Sequence, residues 1–547
     1  MQSPLGSDLY FLLRKFGGFN LKRTFYTAAL VGLCNASLIV LINEAATEIA
    51  DQKTPTIVYL LFFPVLLCQI LLLRLSNREN VTGTQTFVHR LRMHVLGKVL
   101  RNDLLTLEAL GIGQIMRTLN RDSHVISQAM LALVPVLQST AVFIFAIFYL
   151  FFLSLTAGLI VSTVGLLIVA YFSKNARERF VTLDNAWVEE GLISEKMAEF
   201  LSGFKEIKMN SARARDLSLE LLHKSRDVSN VKAIALINLT NNYSAVQVLV
   251  YILVGATITV VPILSDTFYL EVMPVTTTSL FVVGSLTGMV QALPLLSESK
   301  IASQDVRRFL AKLEGLSGSE ARASKEWHNE DIKSIAFENL SFKFKNNAED
   351  HPFAVGPVNY KFEPGLAYFV RGDNGSGKTT VMRLLTGLIA PDSGKILVNG
   401  RIVSPSDSQA YRNLFSCIFS DFHLFGRLYG LSSVDDERVK FWLNKLGIAE
   451  KVSVIDGKFD NLNLSTGQRK RIALMVAVLE ERPIIVLDEW ASDQDPPFRK
   501  FFYETIIPEL KALNKIVIAI THDENYFSYA DHLLRIESGQ LTEDFHP

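Results

Sequence analysis

Six apolar stretches fill the first 300 residues, and each is about as long as a bilayer is thick. They run Phe25–Ala46, Thr56–Leu73, Leu133–Leu153, Leu155–Phe172, Ala245–Leu264 and Val275–Leu296. A helix needs about 20 mostly apolar residues to cross hydrocarbon. Helices of a soluble bundle keep a polar face, so that reading is the weaker one. Composition agrees, with 49% of residues hydrophobic and a mean hydropathy of +0.24. The third and fourth stretches nearly touch, which requires a very short joining loop.

Charge sets the orientation. Lys15, Lys22 and Arg23 precede the first stretch, and Arg74, Arg78, Arg90, Arg92, Lys98 and Arg101 follow the second. The loop after the first holds Glu48 and Asp51 with Lys53 its single basic residue, and the loop after the fifth holds Asp266 and Glu271. By the positive-inside rule both termini are cytoplasmic. The long polar connections, Arg74–Leu131 and Ser173–Tyr243, are then cytoplasmic too. They are expected to continue the spans as helices, each with a short transverse segment near its tip, around Gly111–Asn120 and Ala198–Met209, that docks the membrane part on its ATPase, with plain solvated helical hairpins the alternative. Asn35, Gln69, Gln138, Gln247, Tyr251, Thr257, Thr287 and Gln291 are polar groups within the spans, suited to helix-to-helix hydrogen bonds or to lining a cavity.

The remaining bulk numbers exclude other classes. Fifty-five basic residues balance 55 acidic ones, so the broad positive field of a nucleic-acid binder is absent and no nucleic-acid partner is expected. Cys34, Cys68 and Cys417 match no metal-ligand spacing and read as reduced thiols. Met1–Phe19 lacks the basic start and apolar core of a cleavable leader.

From about Ser334 the pattern changes to short apolar runs alternating with helices, the layout of an α/β domain. We divide the chain into residues 1–300, a transmembrane domain; 301–333, a polar linker carrying an amphipathic helix near Val306–Leu313; and 334–547, a nucleotide-binding domain. The anchor of the last is Arg371–Thr380, RGDNGSGKTT. Gly372, Gly377, Lys378 and Thr379 fit the phosphate-loop pattern, with an apolar strand before and a helix after. The backbone of Gly372, Asp373, Asn374, Gly375, Ser376 and Gly377 can turn its N–H groups into one hollow. Lys378 adds a positive charge, the Thr379 hydroxyl can hold Mg²⁺, and Thr380 continues the helix whose positive end faces the phosphates.

Further residues join it in order. Phe342 and Phe344 lie on early strands; Phe344 is the candidate ring for stacking on adenine, with a core role the alternative. Leu464–Gln468, LSTGQ, opens a helix that Ser465 caps, and Gly467 and Gln468 beside it make a second anion site. One nucleotide cannot sit on two separate helix ends of a small domain. Two copies facing each other resolve this, each completing the other's site. Ile484–Leu487 is an all-apolar strand ending in Asp488, suited to Mg²⁺, and Glu489, suited to general-base work on water. Ser492–Asp495 is a polar turn. Lys515–Ile520 is another buried strand, ending at Thr521 and His522.

This order of motifs resembles the ABC ATPase domain, and six spans ahead of it resemble an ABC exporter half-transporter. The resemblance covers nearly the whole chain. It implies a six-span, α-helical transmembrane domain of the type I exporter kind fused to an α/β phosphate-loop ATPase domain. It also implies ATP and Mg²⁺ as ligands and a homodimer in a lipid bilayer. In its terms Gly372–Thr380 is Walker A, Leu464–Gln468 the signature, Asp488 and Glu489 Walker B and its base. Ser492–Asp495, with Asp495 facing nucleotide, is the D-loop, His522 the switch histidine and Phe344 the adenine-stacking aromatic. The chain departs from the family in four places. Ser420 and Asp421 stand where a glutamine that contacts Mg²⁺ is usual, so either is a candidate replacement. Thr466 replaces a glycine, Asp456–Asn463 lacks the usual acidic export-type sequence, and Trp490 replaces a small residue.

DEWASDQDP at Asp488–Pro496 and FSDFHLF at Phe419–Phe425 look like one branch, the bacterial cyclic-peptide and siderophore-peptide exporters, including those of the pyoverdine type. That branch implies a peptide-type cargo moved out across a bacterial inner membrane. A lipid or multidrug exporter, a membrane-anchored sensor ATPase that moves nothing, and an importer are the rival readings.

Overall fold

The computed structural model describes residues 7–18, 21–50, 52, 54, 56–167, 189, 193, 196–264, 268–315, 332–344, 353–431 and 435–544. The chain divides into two compact units: Met1–Leu100 with Leu110–Gly315, and Arg101–Ala109 with Leu316–Pro547.

The first unit is helical. After α1 (Ser7–Phe16), the apolar stretches fall in α2 (Leu21–Ala50), α3 (Thr56–Val99), α6 (Ser123–Leu153), α7 (Leu155–Leu167), α9 (Ser211–Leu264) and α10 (Phe268–Gly315). Residues 168–172 of the fourth stretch, much of the second connection and Asp266 lie outside the described residues. Among the described residues four helices are long and apolar enough to cross a membrane, and shorter apolar helical segments run Leu155–Leu167 and, within α9, Gln247–Ala256. Only Ser154, in extended conformation, separates α6 from α7. The joining loop is therefore as short as the sequence requires.

Several helices outrun their apolar parts. The 54 residues of α9 span about 80 Å at 1.5 Å per residue. Beyond its apolar part, α3 buries Asn80, Thr84, Phe87, Val88, Leu91 and Val95, the three- and four-residue spacing of a single helix face. Leu12 and Phe16 of α1, Leu91 of α3, Ile126 of α6 and Phe309 and Leu313 of α10 share one core there. Fully burying each such side chain contributes about 1.5–3 kcal/mol.

Two local expectations change. The tip of the first connection is α4 (Leu104–Leu110), not Gly111–Asn120. Asp103 starts α4 by accepting a hydrogen bond from the Thr106 N–H at 2.8 Å, and Gly111, at φ 74°, ends it. Residues 112–122 already belong to the next long helix, as α5 (Ile112–Arg117) and a π-helical turn at Thr118–Asp122 leading into α6. In the second connection α8 (Phe204–Met209) lies inside the expected Ala198–Met209. Val306–Leu313 is the end of α10 rather than a helix of its own, so the segment expected as linker begins inside a long helix.

The second unit holds two main sheets. One is antiparallel, ordered β2 (Ala354–Phe362), β1 (Ile335–Lys343), β4 (Ser393–Val398), β5 (Arg401–Ile402). The other has the order β12 (Gln540–Asp544), β11 (His532–Glu537), β3 (Ala367–Arg371), β10 (Ile516–Ile520), β9 (Ile484–Asp488), β6 (Phe415–Ile418). Its strands are parallel except for β12 at the edge. A small ribbon joins β7 (Val454–Ile455) to β8 (Lys458–Phe459). Parallel strands covered on both faces read as unbroken apolar runs. Here Tyr368, Val370, Val486 and Ile518 enter one core, and Phe369, Ile485, Leu487 and Val517 the other. The helices are α11 (Lys378–Leu385), α12 (Ser408–Arg412), α13 (Asp436–Lys445), α14 (Thr466–Leu479), α15 (Pro496–Phe501) and α16 (Ile507–Ala512). Leu105 of α4 packs on the first of these cores, and Glu108 lies 3.2 Å from Arg383 of α11.

Candidate functional site

Three neighbouring parallel strands end together, and each carries chemistry at its carboxyl end. This is where open α/β sheets hold ligands. Residues 372–377 follow β3, Asp488 and Glu489 close β9, and Thr521 and His522 follow β10. The Thr521 N–H donates to Val370 O at 3.1 Å and the Glu489 N–H to Ile520 O at 3.1 Å, so the three ends are laced by backbone bonds.

The phosphate loop turns on Gly377, whose φ of 103° is left-handed; a Cβ there would stand 2.8 Å from the Phe353 ring. Lys378 is buried. Its ammonium donates to Gly372 O at 2.6 Å and Asp373 O at 3.2 Å, and lies 3.2 Å from His522 Nε2. His522 Nε2 is in turn 3.6 Å from Glu489 Oε1. Lysine, histidine and carboxylate thus form a chain across the mouth of the loop. A cavity of about 320 Å³ opens over Asp373, Gly375, Lys378, Thr379 and Thr380 and reaches Glu489. A second, of about 800 Å³, runs along Gly372–Ser376 and His522 to Arg535.

Asp488 is buried beside Ser420, which follows the adjacent strand β6. The Ser420 N–H donates to Asp488 Oδ2 at 3.4 Å. Burial pushes the Asp488 carboxyl above its ordinary value; the Ser420 N–H pulls it down, the Glu489 charge adds to the rise, and the Ser420 hydroxyl and Lys378 oppose it. Both residues in the glutamine position are exposed, and of the two Ser420 touches the buried carboxylate. Thr379 and Asp488 offer the hard oxygen donors that Mg²⁺ takes. The buried Ser376 hydroxyl has no hydrogen-bond partner in the loop, which fits a group that ligand oxygens complete.

Ser465, Gly467, Gln468 and Asp495 form a separate cluster and line neither cavity. Ser465 and Gln468 form a capping box at the start of α14: the Gln468 N–H donates to Ser465 Oγ, and the Ser465 N–H to Gln468 Oε1. The Gln468 side chain is therefore engaged with its own helix end. Asp495 pairs with Arg471 at 2.5 Å. Gly467 lets α14 close on the turn after Glu489, since a Cβ there would meet Asp493 O at 2.5 Å.

Phe342 is buried in the core. Phe344 packs edge-to-face on it at 5.0 Å and lines neither cavity; the ring over the loop is Phe353. The Phe344 N–H pairs with Phe353 O, so the β1–β2 hairpin carries Phe353 there, a placement that local sequence pattern does not disclose. Local pattern also misses Lys470, whose ammonium donates to Glu489 O at 2.6 Å; it is the middle residue of the basic run Arg469–Arg471, and nothing in that run marks it out from its neighbours.

Residues 24–209 match the family described as ABC transporter transmembrane region, and residues 355–492 that described as ABC transporter. The chain is 29% identical over 552 residues to ATP-binding protein SyrD of Pseudomonas syringae pv. syringae, covering 95% of this chain and 93% of that one. The ATP-dependent lipid A-core flippase of Paraburkholderia xenovorans is 28% identical over 222 residues, 38% of this chain and 37% of the flippase. A solved bacterial Atm1-family ABC exporter with ATP bound shares the fold, with a TM-score of 0.74, 17% identity and coverage of 96% and 95%. The chain belongs to the ABC transporters: it joins an ABC transporter transmembrane region to one ATP-hydrolysing domain.

Proposed function

We propose that two copies of this chain, embedded in a bacterial inner membrane with both termini in the cytoplasm, export a peptide-type cargo at the expense of ATP. The cargo class is a cyclic peptide or a siderophore-peptide precursor, as in the pyoverdine type. The observation that carries the ATPase part is the chain of Lys378, His522 and Glu489 at the phosphate loop. Lys378 and the loop N–H groups bind the phosphates. Glu489 takes a proton from the attacking water, and His522 orients water and phosphate between them. Thr379 and Asp488, with Ser420 beside them, would hold Mg²⁺, which would supply charge neutralisation at the phosphate oxygens. Ser465, Gly467 and Asp495 stand apart from this loop, which supports the reading that they face nucleotide on the second copy. Closure of the paired ATPase domains then drives the membrane part.

The peptide reading rests on the wording of residues 419–425 and 488–496, and the similarity to SyrD along nearly the whole chain accords with one branch. A lipid cargo is the second reading, favoured by the flippase match, which covers 38% of this chain. Reconstitution separates them. Cyclic or siderophore-type peptides, and not lipid A, are expected to stimulate ATP hydrolysis in proteoliposomes and to accumulate in inside-out vesicles. Stimulation by lipid A alone reverses the cargo assignment. Hydrolysis without movement of any solute points to the sensor reading.

A further inference from the structure

We propose that Lys470 is a positioning residue for Glu489, holding the backbone of the base against the first turns of α14. This rests on the reading of Glu489 as the base. Glu489 sits at φ 48° and ψ 37°, a left-handed conformation that residues with a Cβ adopt rarely and keep only where neighbours enforce it. The enforcement is visible. Lys470 is buried, and its ammonium donates to Glu489 O at 2.6 Å, pairs with Asp493 Oδ2 at 2.7 Å and reaches Ser492 Oγ at 3.4 Å. An ammonium has three donors, and all three acceptors lie within the five residues that begin with the base.

The hold is reciprocal. The buried Trp490 donates its indole N–H to Lys470 O at 2.8 Å. One turn earlier the Gln494 amide donates to Gly467 O at 3.0 Å. The lysine side chain thus holds the main chain of the base, and the side chain of the residue after the base holds the main chain of the lysine. The helix end that offers the second anion site therefore also sets the backbone of the base. A shift of α14 when its N-terminus meets phosphate displaces Glu489 with it.

A solely structural ion pair is the competing account. Against it, the Asp493 carboxylate is about half exposed and Glu489 O keeps the Ser492 hydroxyl at 2.7 Å, so Lys470→Met strands no buried charge and the fold survives.

The test compares full-length Lys470→Met, Glu489→Gln and the double variant in nanodiscs. Steady-state ATPase, single-turnover hydrolysis and ATP binding are read. Misplacing a reacting group by about 1 Å costs on the order of 10²-fold, so Lys470→Met is expected to lower kcat by roughly 10- to 100-fold. KM for ATP stays within about twofold, because binding by the loop is untouched. On the Glu489→Gln background, Lys470→Met is expected to cost nothing further, since it acts through that carboxylate. Trp490→Phe, which keeps a buried ring and loses the N–H, lowers kcat in the same direction. Wild-type kcat in Lys470→Met beside an inactive Glu489→Gln overturns the inference. So does a loss carried by KM, or a further loss in the double variant. Wild-type turnover in Glu489→Gln overturns the base assignment itself, and the positioning role with it.

Discussion

The side-chain amide of Asn80, on α3, donates to the main-chain carbonyl of Leu131, on α6, at 3.0 Å. Leu131 is four residues before Pro135, which lies inside α6 and has no N–H to give that carbonyl. The side chain of one helix thus completes the backbone of another. Losing a hydrogen bond to a carbonyl away from water costs about 1–3 kcal/mol. Asn80→Ala is expected to lower thermal stability by a few degrees in the wild-type background. In a Pro135→Ala background the substituted alanine supplies the missing N–H, and the same change is expected to cost much less. Equal costs in both backgrounds, read as melting temperatures in detergent, would refute the assignment.

The strands that bear the site are legible in the sequence because they are parallel and covered on both faces. Leu366–Val370, Ile484–Leu487 and Ile516–Ile520 are unbroken apolar runs, and the polar residues that end each run fall at one sheet edge. The apolar stretches are legible for a similar reason, since lipid demands a length that few other structures need. Placements that depend on meetings between distant segments are not. Local pattern sets the tip helix Leu104–Leu110 several residues late, because Gly111 looks like the punctuation that opens a turn and instead closes a helix. Phe353 reaches the phosphate loop through a hairpin partner, and Lys470 reaches Glu489 across 19 residues of sequence. No window of local periodicity contains both ends of such a contact.

Asp122 predicts a pH dependence of the first unit. It lies at the end of the π-helical turn before α6, outside the apolar stretch, and burial pushes its carboxyl up to about 6. Arg117 and Arg121 lower it, Asp305 raises it, and its Oδ2 has no hydrogen-bond partner among the described residues. An unfolded aspartate titrates near 3.9, so the folded state binds this proton more tightly. The ionised form therefore destabilises the fold in full above about 6, and the penalty fades as pH falls toward 4. Asp122→Asn is expected to raise stability at pH 7.5 by about 2 kcal/mol, allowing for partial solvation. The gain over wild type should shrink at pH 4.5. A gap that is constant with pH would contradict the argument.

Ser420 and Asp421 separate by their contacts with Asp488. Ser420 donates its N–H to that carboxylate, a contact that Asp421, as exposed as Ser420, does not share. Ser420→Ala leaves the backbone donor and removes the hydroxyl, so the Mg²⁺ concentration for half-maximal hydrolysis is expected to rise several-fold. Asp421→Asn is expected to leave it unchanged. The raised Asp488 carboxyl adds a direction with pH. Protons compete for it at a higher pH than for an ordinary carboxylate, so the Mg²⁺ requirement increases on acidification before ordinary carboxylates titrate. A Mg²⁺ titration of both variants at several pH values checks this; a shift in Asp421→Asn alone would reverse the assignment.

Gly467 joins the second cluster to the base. A Cβ at this position would lie 2.5 Å from Asp493 O and 3.6 Å from Gln494 Oε1. The first of these is main chain, with no flexible end to swing aside, so Gly467→Ala must push α14 away from the turn that carries Glu489. The phosphate loop is a different segment and keeps its own bonds through Lys378. Binding of ATP is therefore expected to persist while hydrolysis falls by at least about tenfold, the scale of a general base moved out of reach. Equilibrium binding of a fluorescent nucleotide beside steady-state ATPase distinguishes the two effects. Wild-type hydrolysis in Gly467→Ala would mean that the turn tolerates the displacement. Loss of binding instead would mean that the cluster serves the loop's own nucleotide.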